Sequence, residues 1–164
     1  MNARTLGPFQ SALESGLRAL AVLVKAYPVK IDLQRLIYFD YLLVHSADAG
    51  GPESLHASTP LRNGELLVRR DLVERGLILF ESRSLVEKVY DESGVAYLAT
   101  DSASAFLDGL SSPYTLKLNN RASWAFEKFG LKSESEVAQF FEQNFSRWSS
   151  EFQAIYPASS DVLQ

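Results

Sequence analysis

The sequence predicts a mainly α fold with one β-hairpin, and three observations carry that prediction. Apolar residues recur at three- and four-residue spacing over most of the chain, as on one face of a helix. Leu85, Val86, Val89 and Tyr90 lead into a polar turn, Asp91-Glu92-Ser93-Gly94, and Val95 to Ala99 lead out of it. Helical stretches lie on both sides of this hairpin. The order over Leu61 to Leu110 is that of the second half of a winged helix. The expected fold is therefore a winged-helix-like domain with additional C-terminal helices. One domain is expected over residues 1–156, with the wing near 85–99 and C-terminal helices near 114–152. A polar tail at 157–164 follows.

Each element has a local reason. Phe9, Leu13, Leu17, Leu20 and Val24 form the stripe of a first helix, with Glu14, Arg18 and Lys25 expected on its other side. Tyr27-Pro28 ends it, since the residue before proline leaves the helical region. Asp32 is a good N-cap for a second helix. Leu33, Leu36, Ile37, Tyr38, Phe39, Tyr41, Leu42, Leu43 and Val44 cover nearly all of its circumference, so it must be buried on every side. In a chain this small, a share of that surface is expected at an interface. Ala49-Gly50-Gly51-Pro52 breaks the helix, and the loop to Pro60 has no periodicity. A third helix begins near Glu65, with Leu66, Val73, Leu77 and Phe80 on one face and charged residues, Arg69 among them, on the rest.

Gly94 supplies the positive φ of the wing turn. Thr100-Asp101 should cap the next short helix, which holds Phe106, Leu107 and Leu110 and stops at Ser111-Ser112-Pro113. Leu118, Ala122, Ala125 and Phe129 are in register on a helix from Tyr114 that Gly130 closes. Ser133 and Glu136 form a capping box for the last helix. It is dense in aromatics: Phe140, Phe141, Phe145, Trp148 and Phe152.

Composition narrows the function classes. The chain has 164 residues, 46% of them hydrophobic, which is ample for a core. No cysteine is present, so thiolate metal sites and cysteine nucleophiles are excluded. No apolar run reaches the length of a membrane span or of a secretory signal, and a cytoplasmic location is expected. The net charge of −4 leans against autonomous nucleic-acid binding, which draws most of its affinity from phosphate neutralisation.

No catalytic constellation stands out. His45 and His56 lie near Asp40, Asp48 and Glu53 without a zinc-ligand spacing, and a structural role for His45 is expected. Gly-x-Ser-x-Gly is absent, and Gly50-Gly51-Pro52 lacks the pattern of a phosphate loop. Asp40 sits on the all-apolar helix and needs a buried partner, with Arg69 or Arg70 best placed to supply it. Removing its side chain is expected to cost about 1–3 kcal/mol. Neither an enzyme nor a cofactor or metal is expected. The candidate partner or DNA interface is Arg62, Arg69, Arg70, Arg75, Arg83 and Lys88, along the helix before the wing, together with Phe140 as an exposed aromatic. Glu65, Asp71, Glu74, Glu81 and Glu87 interleave with the basic set, and the wing tip is acidic. That mixture suits a protein surface better than a phosphate-tracking stripe.

Leu33 to Ser46, then Asp48-Ala49-Gly50-Gly51-Pro52 and Ser54-Leu55-His56, resemble the middle-component family of bacterial ABC-three-component systems. Gly64 to Arg70 and Glu74-Arg75-Gly76-Leu77 are similar too, and the likeness extends over roughly Phe9 to Phe152. The resemblance implies a small accessory subunit between a large coiled-coil ATPase, of the structural-maintenance or double-strand-break-repair type, and an effector protein. It implies a role in defence against phage and other foreign DNA, with no catalytic residues to carry over. A homodimer and a weak DNA contact within the complex are compatible with it; a membrane partner is not expected. The alternative is a winged-helix transcriptional regulator binding operator DNA.

Overall fold

The computed structural model describes residues 11–56 and 62–155, with side chains from 62–68 and 145–155 left aside. Phe9, Pro60 and the tail at 157–164 fall outside the described residues. So do the side chains of Arg62, Leu66, Phe145, Trp148 and Phe152. The chain runs α1 (Ala12–Ala26), β1 (Ile31–Asp32), α2 (Leu33–Val44) and a 3-10 turn (Ser46–Ala49). It continues with α3 (Arg62–Ser82), β2 (Val86–Asp91), β3 (Gly94–Ala99), α4 (Ala103–Asp108), α5 (Pro113–Phe129) and α6 (Glu134–Ile155). The fold is mainly helical with a small antiparallel sheet of order β1-β3-β2. The hairpin lies where the sequence places it. The third strand, β1, is only two residues long and pairs Ile31 with Tyr97 and Asp32 with Ala96. Two residues are too few to show an alternating pattern, so it was invisible in the sequence.

Caps explain most boundaries. The Asp32 carboxylate accepts from the Arg35 amide at 2.9 Å and starts α2. Ser112 accepts from the Thr115 amide at 3.2 Å, with Pro113 at the first helical position of α5. Ser133 and Glu136 form the reciprocal capping box of α6, at 3.1 and 3.2 Å. In the wing turn, Asp91 Oδ1 accepts from the Ser93 amide at 2.8 Å, and the positive φ falls on Gly94 at 118°. Thr100-Asp101 does not cap α4, whose N-cap is Ser102. Thr100 Oγ1 instead donates to the Ser84 carbonyl at 2.7 Å, and Asp101 accepts from the Tyr27 hydroxyl at 3.0 Å. Both residues tie strand ends to neighbouring loops.

Two expectations about α1 and α2 are corrected. Leu13 is largely exposed, and Arg18 is buried rather than facing solvent. The buried side of α1 instead carries small residues, Ser15, Gly16 and Ala19, because α1 crosses α3 at very close range. A Cβ on Gly16 would lie 2.6 Å from the Phe80 ring, and one on Gly76 would lie 2.6 Å from the Gly16 Cα. An apolar stripe marks where large side chains lie, not where two backbones meet. The second correction concerns α2. Its buried residues, from Leu36 to Val44, are covered by α1, α3, α5, α6 and β3 of the same chain. No partner subunit is needed to bury this helix.

Candidate partner interface

At the centre of the three packed helices, Asp40 of α2 is 1% exposed. Arg18 of α1 donates through Nε to its Oδ1 at 2.6 Å, and Arg69 of α3 donates through Nη1 to its Oδ2. Arg18 also donates from Nη2 to Ser15 Oγ at 3.0 Å, and the Arg69 guanidinium stacks 5.6 Å from the Tyr41 ring. Burial alone would raise the Asp40 carboxyl, but Arg18 and Arg69 outweigh it and hold the group below its ordinary range. The carboxylate is charged, saturated and withdrawn from solvent, which leaves it neither proton to donate nor access to a substrate. Arg69 is thus a structural residue joining α3 to α2, and the expectation that it lies on the interaction surface is corrected. The ion pair needs it buried, and the neighbouring Arg70 is the one that points outward.

Two other polar residues border this cluster. His45 is buried at the C-terminus of α2, its ring 4.9 Å from that of Tyr41. His56 binds back through its amide to the Val44 carbonyl at 3.3 Å. Burial, with the nearby positive charges of Arg18 and Arg69, pushes its pKa down to about 3. It is neutral at physiological pH and belongs to the packing of the α2–α3 loop.

The remaining members of the candidate interface occupy α3 and the wing. Buried Arg69, Val73, Leu77 and Phe80 set the inner face of α3, so Arg70, Asp71, Arg75 and Ile78 form the outer one. Charges there answer one another within the helix. Arg75 lies 3.2 Å from Asp71 and Arg70 lies 3.9 Å from Glu74, both one turn apart. Arg83 is exposed at the α3–β2 turn. Lys88 is half-buried, its ammonium 5.5 Å from the Tyr90 ring centre. On the wing tip, Asp91 pairs with Lys30. The exposed apolar groups beside these charges are Ile78, Tyr90 and Val95, Tyr90 being 72% exposed and paired across the hairpin with Val95.

Phe140 does not match its expected exposure. It is half-buried against the core, with its ring 5.0 Å from Phe129 and 5.7 Å from Phe141. Its offset from the main apolar line of α6 is absorbed by the α5 C-terminus packing beside it.

Several residues that sequence patterns missed hold this scaffold together. Arg35 Nη2 donates to the carbonyls of Phe129, Gly130 and Lys132 at 2.9, 3.0 and 2.5 Å, capping α5 from α2. Arg121 donates twice to the Glu53 carbonyl, and Lys128 to that of Ala49, so α5 clamps the loop after α2. Such side-chain-to-carbonyl contacts leave no trace in residue spacing. Arg18 did leave one, since a lone arginine amid the apolar run from Leu17 to Val24 mirrors Asp40 on its own apolar helix.

Among the described residues no helix is long and apolar enough to cross a membrane. No curated protein and no solved structure matches this chain. The family model described as ABC-three component (ABC-3C) system Middle Component 2 matches residues 8–151, nearly the whole chain. The chain belongs to the middle component 2 family of ABC-three-component systems.

Proposed function

We propose that this chain is a non-catalytic adaptor subunit in the cytoplasm. In this reading it joins a large coiled-coil ATPase of the structural-maintenance or repair type to an effector, within a bacterial defence system directed at phage or plasmids. Its working surface is the outer face of α3 with the wing of a winged-helix-like domain. The topology supports that description: three helices precede a hairpin, and the short strand before α2 pairs with the second hairpin strand.

The observation that carries the reading is the pairing of charge on α3. A DNA-reading helix keeps its arginines free for phosphates and base edges. Here Arg69 is consumed in the core, while Arg70 and Arg75 sit beside carboxylates on their own helix. Exposed Ile78, Tyr90 and Val95 add apolar area among these paired charges. Desolvating such a surface gains free energy against another protein and little against a polyanion. Catalysis has no support from Asp40, since both its oxygens are held by buried arginines.

Co-expression with the ATPase encoded beside the gene tests the adaptor reading. A stoichiometric complex that survives gel filtration and high salt is expected. A chain that elutes alone, and instead binds its own promoter DNA at nanomolar concentration, would establish the regulator in its place.

A further inference from the structure

A sheet edge exposes unpaired main-chain donors and acceptors, and the two edges of this sheet differ. One is β1, which after two residues runs straight into α2. The other is β2, six residues long, without proline, and in unbroken register with β3 from Val86↔Ala99 to Asp91↔Gly94. Among the described residues no strand lies on its outer side. We infer that the β2 edge takes an extended, basic segment of another protein as a fourth strand. This rests on the adaptor reading and deepens it by naming where and how one partner docks.

The side chains of β2 set the chemistry of the occupant. One face carries Glu87, Val89 and Asp91, the other Val86, Lys88 and Tyr90. Side chains of an added strand stand about 4.5–5.5 Å from those they oppose. A lysine or arginine opposite Glu87 therefore meets an exposed carboxylate, and exposed Glu92 in the adjoining turn adds to that negative charge, whereas Asp91 is already paired with Lys30. On the other face, exposed Tyr90 with Val95 behind it offers apolar area to a branched or aromatic residue three positions along.

A second copy of this chain fits poorly. Symmetric antiparallel pairing about a two-fold axis normal to the sheet keeps every residue on its own face, so the axis must pass through a residue. Centred on Glu87 or on Lys88, each opposes itself. Centred on Val89, Glu87 opposes Asp91. Each of these arrangements sets like charges face to face, which disfavours it; centring on Tyr90 avoids that but pairs only residues 89–91 of the strand.

Hydrogen exchange on the intact protein, alone and in the complex co-purified with the neighbouring ATPase, tests the proposal. The outward amides of residues 86–91 should exchange at least ten-fold more slowly in the complex. Glu87→Lys should weaken the complex about three- to ten-fold while the melting temperature of the free protein stays put. A complex that forms with no added protection at 86–91 overturns this inference and leaves the adaptor reading standing. Failure of any complex to form overturns both. Concentration-dependent protection of the free protein would assign the edge to a second copy. Protection lost on deleting residues 157–164 would assign it to the chain's own tail. Either outcome overturns the proposal.

Discussion

Replacing Asp40 with asparagine keeps the shape of the side chain and removes its charge. Arg18 and Arg69 then remain in the core facing a neutral group, with only one acceptor oxygen left where two were used. The amide nitrogen that replaces the second oxygen is a donor, and it would point at one guanidinium, itself all donors. Removing one partner of a buried ion pair costs about 3–5 kcal/mol. The sequence-based expectation of about 1–3 kcal/mol assumed a single partner; two buried arginines put Asp40→Asn at the upper end of the larger range. Domains of this kind are stable by about 5–15 kcal/mol, so a third or more of the total is at stake. In urea, with a slope of about 2 kcal/mol per molar, the midpoint should fall by about 2 M. The triple change Arg18→Met, Asp40→Leu, Arg69→Met removes all the charges together and should recover most of that loss. A midpoint for Asp40→Asn within 0.3 M of the parent, roughly 0.6 kcal/mol on that slope, would refute the saturated-carboxylate picture.

Two further outcomes follow from the same core. Gly76→Ala places a methyl against the Gly16 backbone, so it should lower stability by about 1–3 kcal/mol despite the better helix propensity of alanine; a variant that melts above the parent would contradict the close crossing of α1 and α3. His56 has a folded pKa of about 3 against an ordinary 6.5, so the unfolded chain binds the extra proton between those values and stability must fall as pH falls through that window. Stability should therefore fall from pH 7 to pH 5, with solvent screening at this half-buried ring reducing the effect, and His56→Gln should flatten that part of the urea-midpoint profile. The depressed Asp40 carboxyl adds its own loss only below about pH 4, by the same sign.

Local chemistry explains which parts of the fold were legible. The hairpin, the Asp32 cap, the Ser133–Glu136 box and the Leu118–Phe129 stripe each depend on residues a few positions apart, and each lies where the sequence puts it. Asp40 was readable for a different reason: a charge on an apolar helix must be buried with a partner. Which partners it takes was only half readable. Arg69 follows from its place on the next helix, whereas the leucines of α1 point Arg18 to the solvent side and so hide it. The α1–α3 contact is made through Gly16 and Gly76, and glycines carry no hydrophobic signal. The interface set divided along the same line. Arg70, Arg75 and Arg83 are on the surface, but Arg69 and Phe140 are drawn inward by contacts with elements distant in sequence. The exposure of Tyr90 at the wing edge is not legible in sequence, because an exposed aromatic in a strand pattern looks the same as a buried one.

Duplex binding by the isolated protein, measured by fluorescence anisotropy at two salt concentrations, bears most directly on whether the α3–wing surface serves proteins or DNA. Arg70→Glu with Arg75→Glu is the informative variant, since both side chains are exposed and Arg69 is left in the core. An adaptor should bind duplexes only in the non-specific range of about 10⁻⁴–10⁻⁶ M, with the double variant almost unchanged. Nanomolar, sequence-dependent binding that the double charge reversal abolishes, together with a smaller salt slope, would contradict the adaptor and make the chain a DNA-reading regulator.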